Sequence, residues 1–84
     1  MSVEEQIVGK WQWYTITYNF HSDGTYEYYN SDSGLRTNGR YAFLKEGFIT
    51  FLLGSAFSSE YSLRGDNLVL RPEGGDPTTF KRMK

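Results

Sequence analysis

Chemistry in this 84-residue chain would have to come from few side chains: one histidine, ten carboxylates and no cysteine. General acid–base work needs a titratable group tuned by burial or by a charged neighbour. His21 stands beside the turn "HSDGT", where a solvated polar residue is expected. Asp23 and Asp66 are turn residues, Glu4 and Glu5 open a helical turn, and Asp32, Glu73 and Asp76 fall in loops. Alternation sends Glu27, Glu60 and Arg64 to the outer face of strands, so burial does not prepare either carboxylate as an acid catalyst. There is no nucleophile elbow, phosphate loop or calcium loop, and no helix follows the glycine-rich "PEGGDP" to aim a dipole at a phosphate. One histidine without cysteine makes no transition-metal set. The tripeptide "RGD" at Arg64–Asp66 is accounted for by a hairpin. The chain therefore reads as non-catalytic, with no cofactor and no metal.

Partners are narrowed by charge and hydropathy. A formal charge of −1 exerts no pull on nucleic acid or anionic lipid, and the terminal "KRMK" reads as a solvated tail. The tyrosines Tyr14, Tyr18, Tyr28, Tyr29, Tyr41 and Tyr61 could stack bases, but no basic groove accompanies them, so nucleic acid is not an expected partner. No apolar run approaches the roughly 20 residues of a membrane helix. "MSVEEQ" lacks the basic and apolar regions of a signal peptide, and a soluble, cytoplasmic protein is expected.

The elements that would position these residues are nearly all strands. Without disulfides a chain of this size depends on its core, and aromatics at 18% of residues supply large buried areas. Only the start looks helical: Ser2 and Glu5 fit a capping box in "SVEE", Gly9 is a stop signal, and Val3, Ile7 and Val8 could press inward. Strands are expected over 10–20, 25–30, 38–44, 48–53, 59–64, 67–71 and 78–83. In the first, Trp11 and Trp13 share one face while Tyr14, Ile16, Tyr18 and Phe20 share the other, which calls for a bulge or strong bend near Tyr14–Thr15. Three-residue loops in "HSDGT" and "LKEGF" would pair Phe20 with Tyr26, and Leu44 with Phe48 and so Phe43 with Ile49. A two-residue Gly65–Asp66 loop would pair Leu63 with Leu68. The inward set also includes Tyr28, Tyr41, Phe51, Leu53, Tyr61, Leu70 and Phe80. The fold class is all-β: one domain over 1–84, a small antiparallel up-and-down (meander) barrel of about seven strands. A short N-terminal helical turn closes one end.

"GKW" at Gly9–Trp11 resembles the Gly-x-Trp signature of lipocalin and calycin barrels, preceded here by "SVEEQIV" and followed by Arg82 in "TFKRMK". "YNFHSDGTYEYYN" and "YSLRGDNLVL" likewise resemble short bacterial lipocalin-like domains. The resemblance implies that Arg82 lies across the Trp11 indole and bonds back to the helical turn, so that Gly9, Trp11 and Arg82 form a structural lock. Lipocalins have eight longer strands, and an eighth here would require "GKWQWYTITYNF" to serve as two.

By the same resemblance, the function is non-catalytic binding of a small apolar or aromatic ligand, entered opposite Trp11 and lined by Tyr18, Tyr28, Tyr41, Phe51 and Tyr61. The alternative is a solid-cored structural or protein-interaction domain. In "GFITFLLGSAF", Phe48 and Leu52 would face out and Ala56 and Phe57 would lie in the next loop. An interaction surface of Phe48, Leu52 and Phe57 could make a homodimer, unless residues 31–38 cover it.

Overall fold

The computed structural model describes residues 2–72 and 74–83. Glu73, expected in a loop, Lys84 of the basic tail and the side chain of Leu53, expected inward, lie outside the described residues. The chain opens with α1 (Val3–Gln6), a single helical turn. The Ser2 hydroxyl accepts the Glu5 amide at 3.3 Å and donates to the Glu5 carboxylate at 3.1 Å, as the capping residues led one to expect. The turn stops at Ile7, whose amide bonds Val3 O, and Gly9 begins the first strand instead of ending the helix.

Eight strands follow: β1 (Gly9–Trp13), β2 (Ile16–Phe20), β3 (Thr25–Asn30), β4 (Leu35–Lys45), β5 (Phe48–Leu53), β6 (Ser55–Arg64), β7 (Asn67–Pro72) and β8 (Thr78–Arg82). Each pairs antiparallel with the next, and β1 pairs with β8, so the meander closes into a barrel. The count is eight because the stretch 10–20 is a hairpin. Trp13 pairs with Ile16 across a two-residue turn in which Tyr14 has φ 50°. A two-residue turn carries odd and even positions onto the same face, which explains the slip in alternation without a bulge.

Two expected hairpins stand as read: Phe20 pairs with Tyr26, and Leu63 with Leu68. At the third, the pairing is Lys45 with Phe48, and the register shifts between Ala42 and Lys45. The bulge moves the irregularity out of the turn and into the strand. Beyond it, Ala42 pairs with Thr50 and Tyr41 with Phe51, the register expected for the strand body. β4 and β6 also start earlier than expected, so Leu35 belongs to β4, and Ala56 and Phe57 belong to β6.

Ile7, Trp11, Phe20, Tyr26, Tyr41, Ile49, Phe51, Leu68, Leu70 and Phe80 form the buried core, with Ile16, Tyr18, Tyr28, Phe43, Tyr61 and Leu63 packed against it. Trp13, expected inward, touches Phe80 at 6.4 Å but stays 38% exposed at the barrel end. The core face of β4 carries Gly39, which the sequence reading passed over. A Cβ there would lie 2.8 Å from Tyr26 Cε1 and 2.9 Å from the Leu52 carbonyl oxygen. The missing side chain is the space into which the Tyr26 ring folds.

The β2–β3 turn is secured by Asp23, whose carboxylate accepts the Thr25 hydroxyl at 2.6 Å and the Thr25 amide at 3.0 Å. Those bonds, the hydroxyl first, hold its pKa below the ordinary value. A depressed folded-state pKa contributes stability above the unfolded-state value and loses it as pH falls through the folded one. The stability gap between wild type and Asp23→Asn should therefore be full at neutral pH and shrink in acid. Urea unfolding across that range measures it, and a gap independent of pH would rule the contribution out.

Candidate functional site

The up-and-down order assigns each connection to an end. The helical turn shares its end with the β2–β3, β4–β5 and β6–β7 turns, and the other four connections surround the opposite end.

The helical end is shut. Ile7 and Trp11 are wholly buried, and Trp11 Nε1 donates to Ile7 O at 2.9 Å. The Arg82 guanidinium lies 4.2 Å from the Trp11 ring centroid. Its Nη1 donates to Val8 O at 3.0 Å and its Nη2 to Gln6 O at 2.6 Å. Two carbonyls at the exit from the helical turn are thereby satisfied by one fork of donors. Asp66 approaches Arg82 Nε at 3.5 Å from the β6–β7 turn. Gly9 completes the arrangement with φ 131°, and a Cβ on it would meet Arg82 Nη1 at 2.8 Å. This explains why glycine stands two residues before the tryptophan: the guanidinium occupies the space.

The interior above the lock is filled with rings. Tyr18 touches Phe20, Tyr26, Tyr28, Phe51 and Phe80, with centroids 5.3–6.1 Å apart. Burial, with the Tyr26 and Tyr28 phenols adding to it, pushes the Tyr18 phenol up to about 12. Of the five rings expected to line a ligand site, Tyr18, Tyr28 and Phe51 are joined by these contacts. Tyr41 and Tyr61 are joined through Phe43, at 6.0 and 5.2 Å, and Tyr41 also touches Phe20 at 5.0 Å. The Tyr41 hydroxyl donates to His21 O at 2.7 Å, beside the β2–β3 turn at the helical end. Among the described residues, Tyr41 is linked to the first group through Phe20, while Tyr61 is reached only through Phe43.

The open end has a different rim. Trp13, Leu35 and Phe57 occupy core-facing positions of β1, β4 and β6, yet they are 38%, 55% and 50% exposed. Phe57 stacks on buried Phe51 at 5.3 Å and is its Cα partner. It therefore belongs to the mouth and not to the outer strip with Phe48 and Leu52. Its shared parity with Tyr61 and Leu63 was the signal that could have placed it there, and Leu35 similarly shares parity with Tyr41 and Phe43.

Outside the barrel, Phe48 and Leu52 lie on the outer face of β5, with Lys45 Nζ 4.7 Å over the Phe48 ring and Leu52 exposed. Of residues 31–38, expected as a possible cover, 35–38 belong to β4 and pair with 27–30 of β3 in the barrel wall, so they are not laid over this strip. A surface depression of ≈ 440 Å³ opens beside Phe48, bounded by Ser58, Glu60, Arg71, Pro72 and Gly74. His21 Nε2 stands 3.6 Å from Glu27 on the half-exposed wall. Among the described residues, no group of three His, Cys, Asp or Glu side chains gathers as a metal site, and no helix is long and apolar enough to cross a membrane.

A closed eight-stranded meander, sealed by a helical turn and an arginine over a tryptophan, defines a lipocalin-like barrel. The family model for the lipocalin-like domain matches residues 7–84, and the chain belongs to that family. The match starts at Ile7 and thus takes in the whole Gly9–Trp11–Arg82 lock. A search of curated proteins finds no match to the chain.

Proposed function

We propose that the barrel is a non-catalytic binding module that holds a small apolar or aromatic molecule at its open end. One observation carries the reading: three large side chains on core-facing positions, Trp13, Leu35 and Phe57, remain exposed at that end while the other is sealed. Large apolar side chains left exposed on core-facing positions mark a contact surface, and in small barrels ligands enter at the mouth. The ring-filled interior below supports a seat for the molecule in the mouth, over Tyr18 and Tyr28 with Phe51 and Phe57 along one wall. Tyr41 and Tyr61, on the helical side of the packing, support that floor without touching the ligand.

Titration with 2-ethylnaphthalene, followed by amide chemical shifts, tests the reading. Shifts should concentrate at Trp13, Leu35 and Phe57. Phe57→Ser should weaken binding by about tenfold, in line with roughly 1–1.5 kcal/mol for part of a phenyl contact. No shifts at the mouth, or shifts confined to the helical end, would sink it.

A second reading, self-association through the outer face of β5, is favoured by exposed Leu52 next to Phe48. Between them Thr50 is buried and bonded to Ser58 at 2.9 Å, so the strip presents little free polarity. Sedimentation of the wild type should then give a dimer that Phe48→Lys/Leu52→Lys converts to a folded monomer. A monomeric wild type removes this reading and leaves the first intact.

A further inference from the structure

The mouth has a polar element in its floor. The Tyr18 ring contacts rings from its own strand and from β3, β5 and β8, which places it across the middle of the barrel. Among the described residues its hydroxyl takes part in no hydrogen bond, whereas that of Tyr41 reaches His21 O. Yet no buried side-chain oxygen or nitrogen among them lacks a partner, so the Tyr18 oxygen keeps contact with solvent. Ile7, Trp11 and Phe20 seal the helical end, with at most 1% exposure. With these three closing the helical end, the mouth is the route by which water would reach the Tyr18 hydroxyl, and a ligand seated there would take the water's place.

We infer that the ligand is a neutral, flat, apolar molecule carrying an acceptor oxygen, such as a carbonyl or ether, that receives a hydrogen bond from the Tyr18 hydroxyl. The inference rests on the mouth being the binding site. A purely apolar occupant would strip this hydroxyl of water and return nothing, whereas an acceptor restores the bond. Burial keeps the Tyr18 phenol protonated across the neutral range, so it has a proton to donate to such an acceptor. Charge argues for neutrality. Lys10, Arg36, Arg40, Arg71 and Lys81 lie on outward positions of their strands, and Arg82 is held in the lock, so none of these faces the mouth to balance an anion.

Three probes of one shape decide it: 2-ethylnaphthalene, which has no acceptor, 2-acetylnaphthalene, which has a carbonyl, and 2-naphthoate, which is charged. The ketone should bind roughly three- to tenfold tighter than the hydrocarbon, the contribution of one net hydrogen bond. Its preference should be unchanged between about pH 6 and pH 10, because a group with its pKa near 12 does not titrate there. Tyr18→Phe should erase the preference while leaving hydrocarbon binding in place. Equal binding of ketone and hydrocarbon to the wild type overturns the inference without any variant and spares the site. A preference that survives Tyr18→Phe also overturns it, as does tightest binding by 2-naphthoate. If none of the three binds, the site and the inference fall together.

Discussion

Arg82→Ala should lower the stability of the barrel by about 2–3 kcal/mol, read from urea unfolding. Three contributions disappear at once. The guanidinium lies 4.2 Å over the Trp11 ring on a side chain 29% exposed, where a cation–π contact contributes about 0.5–1 kcal/mol. The bonds to Val8 O and Gln6 O are charge-assisted, and their loss leaves two carbonyls at the end of the helical turn without these donors. The aliphatic stem that covers the indole is removed as well. Arg82→Lys separates the parts. An ammonium can sit over the ring but cannot span both carbonyls, so lysine should recover less than half of the loss. Gly9→Ala attacks the same lock from the other side, since its Cβ would displace Arg82 Nη1. A loss below about 0.5 kcal/mol for Arg82→Ala, the range of an ordinary surface substitution, would mean that the lock does not hold the barrel end.

Gly39→Val should destabilise by about 3 kcal/mol, against the direction that strand propensity implies. Glycine within a strand is ordinarily unfavourable and valine favourable, so propensity alone would have the substitution strengthen β4. Packing reverses the sign. The first added carbon would stand 2.9 Å from the Leu52 carbonyl oxygen, which is backbone in the neighbouring strand and cannot swing aside. It would also stand 2.8 Å from the Tyr26 ring, itself held by contacts with Phe20, Tyr18 and Phe51. Relief requires moving either a strand or a ring at the centre of the core, and overpacking of this kind costs about 1–3 kcal/mol, occasionally more. For a domain of this size the melting temperature should fall by roughly 12–24 °C, which calorimetry resolves easily. A neutral or stabilising Gly39→Val would show that the Tyr26 ring does not depend on that space.

The two predictions differ in how far they could be anticipated. Gly9, Trp11 and Arg82 announce themselves because each is an uncommon choice at a recognisable place: glycine and tryptophan after a capped turn, and an arginine of inward parity on the last strand. Gly39 sits in "RTNGRY", where a glycine after asparagine looks like turn chemistry. Its role depends on Tyr26 lying directly across the sheet, a pairing made only when β3 and β4 align.

Local chemistry explains what the sequence by itself determined about this protein. Turns at His21–Gly24 and Gly65–Asp66 contain the residues their backbone demands, so the Phe20–Tyr26 and Leu63–Leu68 pairings could be read before any fold was known. Alternation along each strand then separated core from surface for nearly every large residue, because side chains repeat with period two. The β1–β2 turn resisted that reading because Tyr14 adopts φ 50° without being glycine or asparagine, and its neighbours carry no turn signature. The Lys45–Phe48 turn resisted it because a bulge shifts the register, and a bulge is fixed by the partner strand. Closure decided the rest. Pairing Trp11 with Arg82 joins the ends of the chain and sets which core-facing positions the barrel covers and which it leaves at the rim. Alternation gives Trp13, Leu35 and Phe57 the same parity as buried residues, but parity has no coordinate along the barrel axis. Only the tertiary structure supplies that coordinate, and with it the exposed mouth and the Tyr18 hydroxyl beneath it.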